Sequence, residues 1–110
     1  MPKGYWIAHA EIEDLDEYKK YQEANAYAFK KYGAKFLVRG GVQEIREGSS
    51  KSRTVVLEFE SLKAAMECYE SSEYQDAKKL RLSISNADLV IVSGVSVSYT
   101  HLTLPTICSV

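Results

Sequence analysis

The chain has 110 residues, 45% of them apolar and 26% charged, with a formal net charge of −1. That length builds one domain with a real core. The even charge balance excludes the basic footprint of nucleic-acid binders and of proteins drawn to anionic membranes, and no apolar run approaches a membrane span. The start Met1-Pro2-Lys3-Gly4-Tyr5-Trp6 lacks an apolar signal core, so the cytoplasm is the expected compartment. Cys68 and Cys108 make neither a disulfide framework nor a zinc site. Cys68, inside a helical pattern, reads as a small buried apolar residue.

Gly4 to Ile12 alternates as a strand, with Trp6, Ala8 and Ala10 on one face and Tyr5, Ile7 and His9 on the other. Asp14 followed three residues later by Glu17 is a capping box. It starts a helix that runs to about Tyr32, with Leu15, Tyr18, Tyr21, Ala24, Ala28 and Phe29 on its inner face. Gly33 fits the left-handed position just past the helix end. Lys35 to Arg46 predicts a second strand, with Phe36, Leu37 and Val38 suited to a sheet covered on both faces. Gly40-Gly41 interrupts it and suggests a bulge or a close approach by a ligand or another backbone. The polar turn from Glu47 to Ser52 returns the chain as a third strand, Arg53 to Phe59. Ser61 caps a second helix through Ala64, Ala65, Met66, Cys68 and Tyr69. Ser71-Ser72 breaks that helix, and a further helical segment carries Tyr74, Ala77 and Leu80 on one face. Ala87 to Val95 predicts the fourth strand.

The order β-α-β-β-α-β predicts an α+β, ferredoxin-like domain with both helices on one face of a four-stranded antiparallel sheet. Both faces of the strands are apolar, so the face without helices predicts an interface. Two such sheets packed together give a homodimer with a barrel-like core. The domain closes by about Val95. The stretch from Ser96 to Val110 carries no Asp, Glu, Lys or Arg. Its segment Val97 to Thr106 resembles a translated sequencing adapter, which makes 96–110 a non-native tail. An extra edge strand is the structural alternative.

Five ordered segments carry a family resemblance. They are Lys3 to Ile7, Tyr32 to Gly41, Val55 to Phe59, Cys68 to Gln75 and Ala87 to Gly94. In these blocks the chain, from Met1 to about Val95, resembles the family called domain of unknown function 1330. The resemblance implies a dimeric α/β barrel and brings no established reaction and no assigned catalytic residues. Ala34 and Ser72 stand where the family pattern has glycine and proline.

His9 has two readings: a general base near neutral pH, or a hydrogen-bonded histidine inside a sheet interface. Arg39 offers a planar fork of donors for a carboxylate or enolate. Its alternative is an ion pair with Glu58 on the neighbouring strand. Trp6, Tyr69 and Tyr74 could wall a cavity between sheet and helices, or simply fill the core. Arg81 and Asp88 flank the entry to the last strand as an ion pair or turn. The chain has no phosphate loop, nucleophile elbow, dinucleotide fingerprint or metal motif, so no cofactor or metal is expected.

Two functional classes follow. One is a cytoplasmic homodimer that binds a small carboxylate-bearing or aromatic metabolite through Arg39, Trp6, Tyr69, Tyr74 and Glu58. The other, by analogy with the dimeric α/β-barrel class, is a cofactor-independent oxygenase or isomerase with His9 as the catalytic candidate. A pocket holding both His9 and Arg39 would favour the enzyme.

Overall fold

Each boundary of the fold has a local cause in the chain. A computed structural model describes residues 2–95; the expected tail from Ser96 lies outside the described residues. Strand β1 (Gly4–Ile12) leads into α1 (Leu15–Lys31), where Asp14 Oδ1 accepts the Asp16 and Glu17 N–H groups at 3.1 Å each. Only half of the capping box is used, because Glu17 pairs instead with Lys20 at 2.6 Å. α1 ends in a Schellman turn. Ala34 N–H donates to Phe29 O at 2.9 Å, Gly33 N–H donates to Lys30 O at 3.3 Å, and Gly33 takes φ +71°.

Strand β2 is Lys35–Arg39 and β3 is Arg53–Phe59. The sequence predicts β2 as far as Arg46, but the chain leaves the sheet after Arg39. Gly40 takes φ +70° and makes the last pairing bond, to Thr54 O at 2.8 Å. Residues 41–52 then run outside the ladder. The Gln43 amide donates to Lys51 O at 2.9 Å and accepts from Thr54 Oγ1 at 2.5 Å. The irregularity expected at Gly40-Gly41 lies earlier. Phe36 opposes Leu57 and Val38 opposes Val56, so Leu37 is the extra residue of a β-bulge.

The second crossover consists of two helices, α2 (Leu62–Glu70) and α3 (Ser72–Lys79), before β4 (Ser85–Ser93). One hydroxyl makes the break between them. Ser71 Oγ donates to Cys68 O at 2.7 Å, closing α2, and accepts from Tyr74 N–H at 3.1 Å, opening α3.

The strands form one antiparallel sheet in the order β2-β3-β1-β4, an α+β, ferredoxin-like arrangement with its helices on one face. That face presents Trp6, Ala10, Leu57 and Phe59, all buried. Against it α1 sets Tyr18, Tyr21, Asn25, Ala28 and Phe29. The inner stripe of α1 begins only at Tyr18, and Leu15 in the first turn is 68% exposed. The opposite face carries Tyr5, Ile7, Val56, Val90 and Val92, and Val90 and Val92 are exposed. Among the described residues no helix is long and apolar enough to cross a membrane.

Trp6 holds the layers together. It is 1% exposed, and its Nε1 donates to Ala65 O of α2 at 2.8 Å. Its ring meets Tyr74 at 4.9 Å and Phe29 at 5.3 Å, both edge-on. Trp6→Ala should cost about 3–5 kcal/mol, most of what a domain this size has. Urea unfolding checks this, and a loss below about 1 kcal/mol would show a core that does not depend on the indole.

A surface clamp adds to the helix layer. Lys31 of α1 meets Glu73 of α3 at 2.7 Å. The hydrogen bond from Lys31 holds the Glu73 carboxyl below its ordinary value. A lowered carboxylate stabilises the fold above its unfolded pKa, and that contribution disappears as pH falls through the folded pKa. Melting curves from neutral pH through the carboxylate range should therefore show wild type losing its small advantage over Glu73→Gln; parallel curves would contradict the clamp.

Candidate functional site

A cavity of about 50 Å³ lies between the helix-bearing face of the sheet and α1. Its floor is apolar: Trp6 and Ala8 from β1, Val55 and Leu57 from β3, and Leu89 from β4. α1 supplies polar lining through Tyr18, Tyr21 and Asn25, and α3 adds Tyr74. Three arginines, Arg39, Arg53 and Arg81, also line it.

Strand register explains two of the three. Inward positions on β3 are Arg53, Val55, Leu57 and Phe59, so period-two alternation carries Arg53 onto the helix side. Arg39 reaches that side only because of the Leu37 bulge. Regular alternation from inward Phe36 would point Arg39 outward; the extra residue sets it opposite inward Val55. Its guanidinium lies 4.2 Å from the centre of the Phe36 ring. Arg81, just past α3, donates to the Tyr74 hydroxyl at 3.2 Å, and Tyr74 shares a 2.9 Å hydrogen bond with Tyr21.

None of the three arginines has a carboxylate in ion-pair range among the described residues. Arg39 is exposed at the rim, whereas Arg53 and Arg81 are half-buried. Arg53 Nε is fully shielded and has no hydrogen-bond partner among the described residues. Its head group lies 5.4 Å from the Tyr18 ring centre and packs so close to Gly40 that a Cβ there would collide with it. Gly40 thus serves Arg53 twice, by its left-handed turn and by the space it leaves.

Among the described residues, the cavity has no acid, imidazole or thiol in its lining. Burial pushes the Tyr74 phenol well above its ordinary value, with Tyr21 adding and Arg81 opposing. Burial also raises Tyr18, against the pull of Arg53 and Arg81. These phenols remain protonated donors. Burial likewise pushes the Cys68 thiol up to about 12, so it behaves as core and not as a nucleophile.

The residues singled out from the sequence divide between the two faces. Trp6, Tyr74 and Arg39 line the cavity. Tyr69 packs behind Trp6 and Tyr74, at 5.8 and 5.4 Å between ring centres, and its hydroxyl accepts from Lys78 at 2.8 Å. Glu58 lies on the opposite face, accepting from the Tyr5 hydroxyl at 2.9 Å. The alternative Arg39–Glu58 ion pair is therefore not formed, because the bulge sends Arg39 to the other side of the sheet. His9 also lies on that other face, with Nδ1 3.0 Å from Thr54 Oγ1. The structure does not bring His9 and Arg39 together. Asp88 pairs with Lys51 at 2.5 Å and not with Arg81. Sequence reasoning passed over Arg53, Tyr18, Tyr21 and Asn25 as site residues. The signal for Arg53 was its parity with Val55 and Leu57; for Asn25 it was an amide on the apolar stripe of α1.

A sheet-and-helix cavity of this kind defines the class: a small α+β domain of ferredoxin-like architecture. The chain belongs to the domain of unknown function family DUF1330, whose model matches residues 3–95. Comparison with curated proteins finds no match. Among solved structures, the chain is similar to a protein of unknown function from Rhodopseudomonas palustris, with a TM-score of 0.69, 14% identity, and 86% of this chain and 84% of that one covered. It is similar to a cofactor-independent oxygenase from Streptomyces nogalater, with a TM-score of 0.57, 12% identity and coverage of 96% and 100%. A dimeric, ferredoxin-like protein of unknown function from Bacteroides fragilis matches with a TM-score of 0.57, 14% identity and coverage of 83% and 95%. At these identities the likeness is one of fold.

Tyr74→Phe removes the hydroxyl that Tyr21 and Arg81 share. It should cost about 1–2 kcal/mol in urea unfolding, because a half-buried guanidinium loses its acceptor. An unchanged midpoint would show that the hydroxyl network carries no stability.

Proposed function

We propose that the protein is a cytoplasmic homodimer that binds a small carboxylate-bearing metabolite in the cavity beneath α1. One observation carries this reading: three guanidinium groups line a cavity that is otherwise apolar, phenolic and amide, with no carboxylate in ion-pair range among the described residues. Keeping a cation half-buried without a counter-charge, as Arg53 and Arg81 are, is costly, which supports a site that receives an anion. Dimerisation is supported by the uncovered apolar sheet face and by the dimeric state of the Bacteroides fragilis neighbour.

The second reading, a cofactor-independent oxygenase or isomerase, draws support from the Streptomyces nogalater neighbour. It asks for a group that moves a proton at neutral pH. His9 lies on the other face of the sheet, and burial pushes the Tyr18 and Tyr74 phenols above their ordinary value, so binding is the better-supported function.

Thermal shift and calorimetry with a panel of small carboxylic acids test the proposal. Acids should raise the melting temperature, and Arg39→Ala should weaken their binding several-fold at unchanged stability, since Arg39 is exposed. A panel in which no acid binds would remove the ligand reading. For the dimer, Val56→Asp should shift sedimentation toward a monomer; a compact wild-type monomer at micromolar concentration would overturn self-association.

A further inference from the structure

The size and charge of the cavity narrow the ligand further. Resting on the carboxylate-binding reading, we infer that the site takes a compact dicarboxylate, three or four carbons long, held at its two ends by Arg53 and Arg81.

Arg53 and Arg81 enter the cavity from different elements, one from β3 and one from the turn after α3. Both flank α1. Arg53 lies 5.4 Å from the Tyr18 ring centre and Arg81 lies 5.4 Å from that of Tyr21, and the two tyrosine rings are 5.2 Å apart. Each cation thus packs on one member of a single tyrosine pair, and both act on the Tyr18 phenol. Neither has a carboxylate in ion-pair range among the described residues. A monocarboxylate held by one would leave the other unneutralised.

Volume sets the length. A water needs about 10–15 Å³ of such space, so about 50 Å³ holds roughly four waters. That is about the room a three- or four-carbon dicarboxylate displaces. The aromatic wall is closed on itself, with Trp6, Phe29 and Tyr74 packed against one another at 4.9 to 6.1 Å, so it offers no slot between its rings for a further aromatic body. The apolar floor of Ala8, Val55 and Leu89 suits a short methylene link. The Arg53 head group, with no carboxylate in ion-pair range among the described residues, is the donor set that a carboxylate at that end would meet.

Calorimetry at matched ionic strength, on the full chain, tests this with malonate, succinate, propionate, butyrate, benzoate and inorganic phosphate. Malonate or succinate should bind at least about tenfold tighter than the monocarboxylate of equal length, as a second charge-assisted pair would give. Arg53→Lys and Arg81→Lys should each erase that advantage, whereas Arg46→Lys, outside the cavity, should leave it. Equal affinity for succinate and butyrate would overturn the two-ended clamp while leaving carboxylate binding in place. Phosphate binding as tightly as malonate would overturn the two-centre geometry, and benzoate binding best would overturn the size limit. Binding by none of the acids would overturn both this inference and the reading beneath it. The ligand comparison uses wild type alone, so the outcome stands even if a lysine variant unfolds.

Discussion

Trp6 sits where every layer of the domain meets. Its ring is the floor of the cavity, and its edges receive Phe29 from α1 and Tyr74 from α3. Its one polar atom donates to a carbonyl of α2. An indole is suited to this position, because it offers a wide apolar surface with a single donor that must be satisfied when buried. Helix packing is close around it: Ala28, Ala65 and Cys68 are fully buried, and small side chains let the helices approach the sheet. The same contact fixes the cavity. Once Tyr74 is pinned edge-on to Trp6, its hydroxyl can point only toward Tyr21 and Arg81. Core and site are thus one continuous object, with apolar packing below and hydroxyl–guanidinium bonding above.

Electrostatics then follows from backbone register. Arg53 faces the cavity by simple alternation, but Arg39 does so only because Leu37 adds one residue to its strand. The bulge and Gly40 are neighbouring devices that serve neighbouring arginines. One turns Arg39 inward; the other vacates the volume that the Arg53 head group occupies. Positive charge is gathered on the helix side of the sheet, while Glu58, Asp88 and His9 stay on the open side. The sheet therefore separates two chemistries, an electropositive cavity and a mixed apolar and polar outer face.

Much of the architecture could be read from residue patterns, and the exceptions have identifiable causes. β1 and β3 begin and end where alternation puts them, and the Asp14 cap and Gly33 stop bracket α1. These signals are local, so short-range physics decides them. β2 ends at Arg39, short of Arg46, and Val42 and Ile45 beyond it are exposed in the structure. Gly40 ends the strand by conformation, and no hydropathy pattern records a backbone dihedral. The site was harder to read. Arg39, Trp6 and Tyr74 could be picked out as residue types, but their neighbours could not. Whether Arg39 meets Glu58 or the cavity depends on a one-residue register shift invisible in composition. Arg53 looked like a strand edge because its importance comes from what it lacks, a partner, and absence of a partner is a three-dimensional fact.

The division of labour between faces also bears on catalysis. A proton-transfer site needs a group poised near the working pH, placed where the substrate sits. Here the one histidine of the described residues is bonded to Thr54 on the opposite face of the sheet, in a separate polar cleft shared with Glu11, Lys51 and Asp88. Inside the cavity, burial drives the phenols toward their neutral forms, and the arginines pull Tyr18 back without reversing the shift. Such a site is a fixed arrangement of donors: guanidinium N–H groups, phenolic O–H groups and the Asn25 amide. Donors that do not titrate would hold an anion equally well across the neutral range. A reaction in it would have to draw its proton traffic from the bound molecule itself.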